Sequence, residues 1–451
     1  MPLPDLIEIV PLGKAVRAEI TVPGSKSITN RALILAALGE GETTLQGALW
    51  SEDTQVMVEC LQELGFMVNV EPDTQEPCNR IITVYGKGGL VPPGGTEEQP
   101  LELYVGNAGT AARFLAALVC LGRGVYRLHG VPRMHERPQA ALLQALRELG
   151  YRIDSSNDKL PVLIFGTGPR AAKCRVGIDE SSQFASALLL CAEVGRWQVE
   201  VTGQNAEESP YVAMTAKLIK AFPEAGGSFQ VEPDASSASY FWAAGFLLSF
   251  SEALSARDYG AASAVSVRAG PGSDWQVDAA FPRFLPLPEA ISRRTDLGDS
   301  IMTAIVLAPF SDRAVRFTDL GRLRVQECER VAALRTELTR CGAKVMEEGD
   351  TLTVFPSELH GAEIETYGDH RMAMCFAILG LKVAGVSLKN PSCVKKTFPN
   401  YFQKLAAPPP VGLGAGILDA MSGRALRDAE LFAEGESHVA ADNQSTGRNC
   451  H

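Results

Sequence analysis

The chain has 451 residues, a formal net charge of −11 and 46% hydrophobic residues. Because this length exceeds that of one ordinary hydrophobic core, the sequence predicts two domains or a repeat architecture. The composition is that of a globular protein. Its acidic balance argues against nucleic acid or an anionic membrane as a partner, whereas a small anionic substrate is allowed if positive side chains converge in a cleft.

The ten cysteines lie far apart, and none forms a CxxC pair or a Cys/His set at zinc spacing. We therefore expect reduced thiols, a cytoplasmic location, no metal and no cofactor. The first residues lack the basic and apolar regions of a signal peptide. The richest apolar runs, at residues 240–250 and 301–310, are much shorter than the ~20 residues that a membrane span requires.

In chain order, the first informative segment is residues 23–31, with the sequence PGSKSITNR. This glycine-started turn leads directly into an apolar helix predicted over residues 32–38. It brings Lys26, Arg31 and several hydroxyls to the positive end of a helix dipole, where a phosphate or carboxylate binds well. The order Gly-Ser-Lys-Ser differs from that of a Walker P-loop. The alternative is a capped helix start that binds nothing.

Four later segments share one pattern, an amphipathic helix followed by a glycine and a short apolar strand. They are residues 56–70, 141–155, 216–233 and 329–348. The glycine stands where a helix C-cap belongs, so the pattern predicts several copies of one α/β module. Ordinary joints of an unrepeated α/β protein are the alternative. A domain boundary is plausible near Glu232, and a polar tail follows Leu405.

Two further kinds of segment carry candidate functional residues. In the first half, glycine- or hydroxyl-rich turns precede apolar helices, and they contain Asn107, Gly109, Thr110, Arg113, Arg133, His135, Glu136, Arg137, Ser181, Ser182 and Gln183. The second half supplies charged groups, namely Asp299, Glu327, Arg330, Asp369, His370, Arg371, Lys395 and Lys396. A Glu three residues before an Arg is usually a solvent-exposed helix pair. Together, however, these groups suit transfer chemistry on a multiply anionic substrate.

The series of motifs resembles that of the 5-enolpyruvylshikimate-3-phosphate synthase family from about Ile7 to Leu405. The resemblance rests, in this order, on PGSKSITNRALILAAL, GNAGTAARF, PRMHERP, SSQF, PYVAMT, EPDASSASYF, GDSIMT, RVQECERVAAL, TYGDHRMAM and KKTFPNYF. It implies an α/β fold, a two-domain inverted α/β barrel built from six βαββαβ-type repeats. The first domain would comprise residues 1–24 and 234–407, the second residues 25–233, and residues 408–451 would form a polar, flexible tail.

The resemblance also implies a reaction, the transfer of the enolpyruvyl group of phosphoenolpyruvate to the 5-hydroxyl of shikimate 3-phosphate with release of phosphate. The chain would close over both substrates and act as a monomer. Catalysis would fall to Lys26, Asp299, Glu327, His370 and Lys396. Phosphoenolpyruvate would contact Lys26, Gly109, Arg137, Gln183, Arg330, Arg371 and Lys396. Shikimate 3-phosphate would contact Ser27, Arg31, Thr110, Ser181, Ser182, Gln183, Tyr211, Asp299 and Gln326.

Four positions depart from the family pattern. Gln326 stands where a Lys that helps to bind shikimate 3-phosphate is usual, and Arg322 replaces an Asn. Glu208 occupies the place of a substrate-binding Ser, and Phe114 that of a Pro or Leu behind the Gly109 turn. Residues 253–293 also match the family poorly. These differences concern the affinity for shikimate 3-phosphate and for glyphosate more than the reaction type.

Two other interpretations remain open at this point. The related UDP-N-acetylglucosamine enolpyruvyl transferases share the fold and phosphoenolpyruvate, but usually carry a Cys in the loop that corresponds to residues 133–138, where this chain has none. A non-catalytic anion-binding scaffold is the second interpretation, and the presence of Lys26, Asp299, Glu327, His370 and Lys396 argues against it.

Overall fold

A computed structural model of the chain describes residues 3–203, 209–223, 225–253, 264–268 and 270–433. The α-helices in these residues are α1 Lys26–Leu38, α2 Glu52–Glu63, α3 Gly109–Cys120, α4 Pro132–Glu136, α5 Ala140–Glu148, α6 Gln183–Gly195, α7 Pro210–Ala221, α8 Ala235–Ala253, α9 Ile301–Leu307, α10 Arg330–Arg340, α11 His370–Gly380 and α12 Tyr401–Ala406. Short 3-10 helices include Leu320–Val325 and Pro391–Lys396. Within this described part, no helix has the length and apolar character needed to cross a membrane.

The described strands are β1 Leu6–Ile9, β2 Arg17–Ile20, β3 Glu40–Leu49, β4 Met67–Pro72, β5 Asn79–Lys87, β6 Leu101–Tyr104, β7 Arg123–His129, β8 Arg152–Asp154, β9 Val162–Thr167, β10 Ala172–Gly177, β11 Trp197–Thr202, β12 Gly227–Gln230, β13 Ala264–Val267, β14 Ala290–Ser292, β15 Val315–Thr318, β16 Val345–Glu348, β17 Thr351–Val354, β18 Glu363–Ile364, β19 Val386–Lys389 and β20 Ile417–Asp419. Helices and strands alternate along the chain, so the fold is mixed α/β.

The predicted helix–glycine–strand joints are confirmed. Between α2 and β4, Gly65 has a φ of +88°, and Gly150 has the same value between α5 and β8. Gly342 follows α10 with a φ of +93° and precedes β16. A side chain is strained at such angles, so glycine ends each helix and turns the chain into the next strand.

Four of the sheets have the same strand arrangement. They are β12-β3-β5-β4, β6-β7-β9-β8, β14-β15-β17-β16 and β18-β19-β1-β20. In each, the first two strands are parallel and the other neighbouring pairs are antiparallel. Two further pairs, β10-β11 and β13-β2, are parallel. The shared arrangement indicates that one α/β unit recurs along the chain.

The buried apolar residues form two separate cores. One core draws its buried residues from positions 28–231 and contains much of α1, α3 and α6. The other draws them from residues 3–22 and 238–433 and contains much of α8, α9 and α11. This separation agrees with a discontinuous first domain and an inserted second one, whose boundaries stay predictions.

The chain passes between the two cores at two neighbouring points. Gly24 and Pro233 form an antiparallel bridge, and the Ser25 amide donates to the Glu232 carbonyl at 2.8 Å. A Cβ atom at Gly24 would lie 1.9 Å from the Gly47 carbonyl oxygen, so only glycine fits this close approach. The two chain segments that cross therefore lie side by side and form a narrow connection between the cores.

The expected flexible tail is wrong for residues 408–433. β20 pairs antiparallel with β1, and Leu413, Ile417 and Leu431 are buried in the second core. The sequence misled because the segment after the prolines at 408–410 has no helix or strand pattern of its own. Ile417–Asp419 becomes a strand only by pairing with β1. The remaining part of the predicted tail, residues 434–451, lies outside the described residues.

Candidate active site

A cleft between the two cores brings together the first turns of several helices. From the first core, α1, α3 and α6 begin at Lys26, Gly109 and Gln183; from the second, α10 and α11 begin at Arg330 and His370. All five residues line the cleft. The first-turn amides and the helix dipole favour anions at each of these ends. The cleft is therefore suited to a ligand with several negative groups.

Lys26 is held by a carboxylate that the sequence did not single out. Its Nζ lies 2.9 Å from Oδ2 of Asp53 in α2, and the Asp53 side chain is 4% exposed. Acidic residues in the first turn of a helix ordinarily complement the dipole, so nothing in the sequence distinguished Asp53 from its neighbour Glu52. The contact aims the Lys26 ammonium into the cleft.

Arg31 lies deeper in the same wall and is fixed by neutral groups. Its Nε donates to Thr215 Oγ1 at 2.8 Å and its Nη2 to Ser186 Oγ at 3.0 Å. Its guanidinium also lies 5.3 Å from the centre of the buried Phe114 ring. Burial lowers the pKa of Arg31 to about 10. Within the described residues, no carboxylate approaches Arg31 to ion-pair distance.

The Gly109 turn is braced by two arginines. Arg113 Nη1 donates to Gln183 Oε1 at 2.6 Å, and Gln183 Nε2 donates to Thr110 Oγ1 at 3.0 Å. A Cβ atom at Gly109 would lie 2.7 Å from Arg137 Nη2, so a glycine lets this guanidinium lie against the turn. Burial, with Arg137 nearby, lowers the pKa of Arg113 to about 9.

The second-core wall is built differently, around one buried guanidinium. Arg330 Nε lies 2.7 Å from Asp369 Oδ2, and its Nη2 lies 2.8 Å from Glu327 Oε2. Lys396 Nζ contacts the other oxygen of Glu327 at 3.2 Å. These side chains are at most 9% exposed. Such buried charges are stable only as a paired network.

Asp299 joins this network from the loop before α9. Its Oδ1 lies 2.9 Å from Arg293 Nη2, its Oδ2 lies 3.1 Å from Arg371 Nη2, and Arg330 Nη1 is 4.0 Å from Oδ1. Arg330 therefore lies between the two carboxylates Asp299 and Glu327. The Arg330 guanidinium is thus shared by Asp299 and Glu327, the two carboxylates to which the family resemblance assigns proton transfer.

Both carboxylates are ionised in this arrangement. Burial by itself would raise the pKa of Asp299, but Arg371, Arg293 and Arg330 outweigh it and hold that pKa below its usual range. Burial likewise opposes ionisation of Glu327, yet Lys396 and Arg330 hold its pKa well below the ordinary value. The cations that surround each group therefore dominate over desolvation.

His370 is the buried neutral member of the site. Burial, reinforced by Arg371 and Lys26 against the opposing effect of Glu327, lowers the pKa of His370 well below the usual value. Among the described residues, neither of its ring nitrogens has a hydrogen-bond partner. At neutral pH the imidazole can therefore donate one hydrogen bond and accept another, but it adds no charge.

Several contacts among the described residues span the cleft between the two cores. Arg133 Nη2 donates to the Gln326 carbonyl at 3.1 Å, and Lys396 Nζ donates to the Asn107 carbonyl at 3.3 Å. Arg322 Nη2 donates to the Ile178 carbonyl. The two walls thus meet through residues of the site itself.

The structure brings nearly all the predicted site residues to this one cleft. Those that line it are Lys26, Ser27, Arg31, Gly109, Thr110, Arg137, Ser181, Ser182, Gln183, Tyr211, Asp299, Gln326, Glu327, Arg330, His370 and Arg371. Lys396 reaches the site through Glu327. Their roles remain predictions, because proximity alone assigns none.

Several lining residues had no predicted role. Asp278 is buried, accepts from Gly298 N at 2.7 Å and Ser300 Oγ at 2.6 Å, and so fixes the turn that presents Asp299. Arg293 belongs to the segment that matches the family poorly. The motifs EPDASSASYF and GDSIMT lie on either side of Asp278 in the sequence. Asp278 itself belongs to neither motif, so no sequence pattern singled it out.

The four departures from the family pattern have different outcomes. Gln326 lines the cleft and Arg322 bridges it, whereas Phe114 is buried against Arg31, away from the cleft lining. Glu208 lies outside the described residues.

Comparison with known proteins shows the family to which the chain belongs. The chain matches the family model of EPSP synthase (3-phosphoshikimate 1-carboxyvinyltransferase) over residues 10–225 and 223–405. It is 36% identical over 430 residues to the 3-phosphoshikimate 1-carboxyvinyltransferase of Trichormus variabilis, covering 89% of this chain and 98% of that protein. The corresponding enzyme of Paraburkholderia phytofirmans is 38% identical over 444 residues, with 89% and 99% covered.

The fold has solved counterparts as well. EPSP synthase from Acinetobacter baumannii superposes with a TM-score of 0.70 at 20% identity, covering 91% of this chain and 99% of that one. This likeness supports a mixed α/β fold of two domains. By the extent of these matches, the chain belongs to the EPSP synthase family, whose activity it shares: transfer of the enolpyruvyl group of phosphoenolpyruvate to shikimate 3-phosphate, in the pathway to aromatic amino acids.

Proposed function

We propose that the cleft binds both substrates at once and that its two walls divide the reaction between them. Phosphoenolpyruvate would contact Lys26, Gly109, Arg137, Gln183, Arg330, Arg371 and Lys396. Shikimate 3-phosphate would contact Ser27, Arg31, Thr110, Ser181, Ser182, Gln183, Tyr211, Asp299 and Gln326. The observation that carries this assignment is the position of Arg330, which joins Asp299 and Glu327 within the same cleft.

The balance of charge supports two anionic substrates. On the first-core wall, Arg31 and Arg137 form no ion pair within the described residues, so their charges are available to phosphate and carboxylate groups. A closed cleft excludes water, which strengthens each charge-assisted hydrogen bond. Binding two phosphates and a carboxylate would therefore satisfy cations that otherwise remain desolvated.

Asp299 would accept the proton of the 5-hydroxyl as its oxygen attacks phosphoenolpyruvate. In the free protein it is a weak base, since Arg371 and Arg293 hold its pKa low. When phosphoenolpyruvate engages Arg371, the anion neutralises part of this charge and the pKa of Asp299 rises. The base would then become stronger only when both substrates are bound.

Glu327, with Lys26 and Lys396, would handle the proton of the phosphoenolpyruvate methylene group. Addition of the hydroxyl oxygen to the substituted carbon requires protonation of the methylene, which gives a tetrahedral intermediate. Loss of phosphate then requires removal of a proton from the new methyl group. The contact of Glu327 with Lys396 at 3.2 Å allows a proton to move between the two groups. His370, being neutral and without a hydrogen-bond partner among the described residues, would be free to hydrogen-bond the bound substrates.

The two domains would also close over the substrates. The two cores are joined at the neighbouring Gly24 and Pro233 crossings, and site residues contact each other across the cleft. We infer that the domains close on the substrates as rigid bodies about this connection.

The six sheets, four of which share one strand arrangement, support the inverted barrel of six βαββαβ repeats. A monomer in the cytoplasm remains our expectation.

The test is phosphate release from phosphoenolpyruvate, measured with shikimate 3-phosphate and, separately, with UDP-N-acetylglucosamine. We expect turnover with the first acceptor alone. Lys26→Met should lower kcat/KM by roughly 10²- to 10³-fold, because it removes the cation that lies 2.9 Å from Asp53 and would contact the bound anion. Lys87→Met, at an exposed position on β5, is the matched control and should behave as wild type. Near-normal turnover of the Lys26 variant would reject its assignment.

A further inference from the structure

Three charged or titratable residues, Asp369, His370 and Arg371, follow directly after a tight turn. Within that turn, Tyr367 has a φ of +56° and Gly368 a φ of +64°. Glycine adopts such an angle without strain, whereas tyrosine adopts it only where other contacts hold it. The start of α11 therefore depends on the contacts that fix Tyr367.

The Tyr367 side chain is fixed by a buried carboxylate on α10. Its hydroxyl donates to Glu337 Oε1 at 2.8 Å, and the Glu337 side chain is fully buried. The other carboxylate oxygen accepts from Arg340 Nη1 at 2.8 Å and from the Glu365 amide at 3.3 Å. Burial, followed by the hydrogen bond to Glu337, raises the pKa of Tyr367 to about 12, so its hydroxyl remains a donor at neutral pH.

One helix therefore holds the start of α11 at two points. Arg330, the first residue of α10, lies 2.7 Å from Asp369 Oδ2 inside the cleft. Glu337 lies two helical turns further along α10 and binds Tyr367, and both of these side chains lie outside the cleft lining. Asp369 Oδ1 in turn accepts from the Arg371 amide at 2.9 Å. A movement of the turn is therefore passed on to the residue assigned to phosphoenolpyruvate.

We propose that Glu337 and Tyr367 are positioning residues for the reaction. Through the turn before α11, their hydrogen bond sets His370 and Arg371 in the geometry that phosphoenolpyruvate requires. This inference rests on the proposed roles of His370 and Arg371. It goes beyond them because Glu337 and Tyr367 lie outside the cleft lining and act through other residues.

The first experiment compares Tyr367→Phe with Tyr126→Phe. Tyr126 belongs to the first core and is a matched structural control, because its hydroxyl donates to the Pro92 carbonyl at 2.9 Å. For Tyr367→Phe we expect the KM for phosphoenolpyruvate to rise roughly 3- to 10-fold, the effect of one lost hydrogen bond. The KM for shikimate 3-phosphate should stay within about 2-fold of wild type. Tyr126→Phe should lower the Tm and leave both KM values unchanged.

Variants of Glu337 show whether the bond itself is responsible. Glu337→Ala should raise the KM for phosphoenolpyruvate as Tyr367→Phe does, and the double variant should be no worse than Glu337→Ala alone, because both changes remove the same bond. Glu337→Gln keeps the volume, and its amide can bond the Tyr367 hydroxyl in either orientation, since a phenol both donates and accepts. Its KM should stay within about 2-fold of wild type, and it serves as the test if Glu337→Ala does not fold.

Hydrogen exchange at the amides of residues 366–372 tests the same contact without substrate. Exchange should be faster in Tyr367→Phe than in wild type and unchanged in Tyr126→Phe. An unchanged KM for phosphoenolpyruvate in Tyr367→Phe, or an equal rise in the KM values of both substrates, would overturn the proposal. A normal KM for phosphoenolpyruvate in Arg371→Lys would overturn the assignment of Arg371 and the proposal with it, a failure that is recognised because the difference in exchange persists.

Discussion

The two walls of the cleft use opposite electrostatic designs. On the first-core wall, Arg31 and Arg137 are held by hydroxyl and carbonyl groups and have no carboxylate partner within the described residues. On the second-core wall, Asp299, Glu327 and Arg330 are tied together at 2.8–4.0 Å. The first design keeps positive charge free for ligands, and the second keeps titratable carboxylates ionised.

From this difference we infer which wall contributes most to each task. A desolvated cation without a counter-ion gains most when an anion binds, so the first-core wall is built for affinity. A coupled set of acids and bases changes its proton affinities when one member is neutralised, so we infer that the second-core wall carries the proton transfers in addition to binding phosphoenolpyruvate through Arg330 and Arg371. Lys26 is the exception, since it stands on the first-core wall and pairs with Asp53. Its proposed dual role in binding and catalysis agrees with that mixed environment.

The largest expected effect comes from breaking the second-core network. Glu327→Gln keeps the shape of the side chain but removes the group that would exchange a proton with Lys396, 3.2 Å away. We expect kcat to fall by roughly 10²- to 10⁴-fold, the usual contribution of a positioned acid or base. Steady-state rates with both substrates saturating measure this effect. Glu329→Gln, which changes a half-exposed carboxylate bound to Arg324, is the control and should retain most of the wild-type kcat.

A smaller effect is expected from the first-core wall, at Gly109. A Cβ atom there would lie 2.7 Å from Arg137 Nη2 and would push the guanidinium away from the turn. We expect Gly109→Ala to raise the KM for phosphoenolpyruvate by about 10-fold while kcat changes less, as loss of a charged hydrogen bond implies. Gly13→Ala, where a Cβ meets nothing within 4 Å, is the control. A Gly109 variant with a lower kcat and an unchanged KM would contradict a binding role for this wall.

The Gly109→Ala variant also tests where glyphosate, the inhibitor of this family, binds. If glyphosate competes with phosphoenolpyruvate at the Gly109 turn, Gly109→Ala should raise its inhibition constant together with the KM for phosphoenolpyruvate. Phe114 packs against Arg31 rather than lining the cleft, so its influence would act through the position of that side chain. Inhibition that is independent of phosphoenolpyruvate concentration would contradict the assignment of this turn.

The smallest expected effect concerns stability at acid pH. His370 is buried with its pKa well below the usual value, so below about pH 6.5 the unfolded chain takes up a proton that the folded chain does not. Stability therefore falls as the pH decreases from 6.5 towards the folded-state pKa. Between pH 7 and pH 5, His370→Gln should lose up to about 2 kcal/mol less unfolding free energy than wild type. Urea unfolding measures the difference, with the exposed His360→Gln as control. An identical pH slope in wild type and the His370 variant would refute a buried neutral imidazole.

Much of this organisation could be predicted from the sequence. The helix–glycine–strand joints follow from local rules, because a glycine after an amphipathic helix both ends it and reverses the chain. The site residues stand in motifs at helix starts, where anion binding has a local physical basis. That Lys26, Gly109 and Arg371, which are far apart in the chain, share one cleft was implied by the family resemblance and not by these local rules.

The remaining features depend on contacts between distant parts of the chain. Nothing near Asp53 indicates that it pairs with Lys26, and Arg293 lies in a segment with no recognisable motif. The bond from Arg322 to the Ile178 carbonyl joins residues from different cores. β20 likewise became a strand only through its pairing with β1. Each of these contacts is decided by tertiary packing, which sequence periodicity does not encode.

The most direct test of the division between the walls is calorimetric titration of Glu327→Gln with shikimate 3-phosphate. If the first-core wall provides affinity and the second-core wall transfers protons, the variant should bind shikimate 3-phosphate with a Kd within about 3-fold of wild type although its kcat is lost. A Kd that rises in parallel with the loss of kcat would show that Glu327 supports binding, and would contradict the separation of the two tasks.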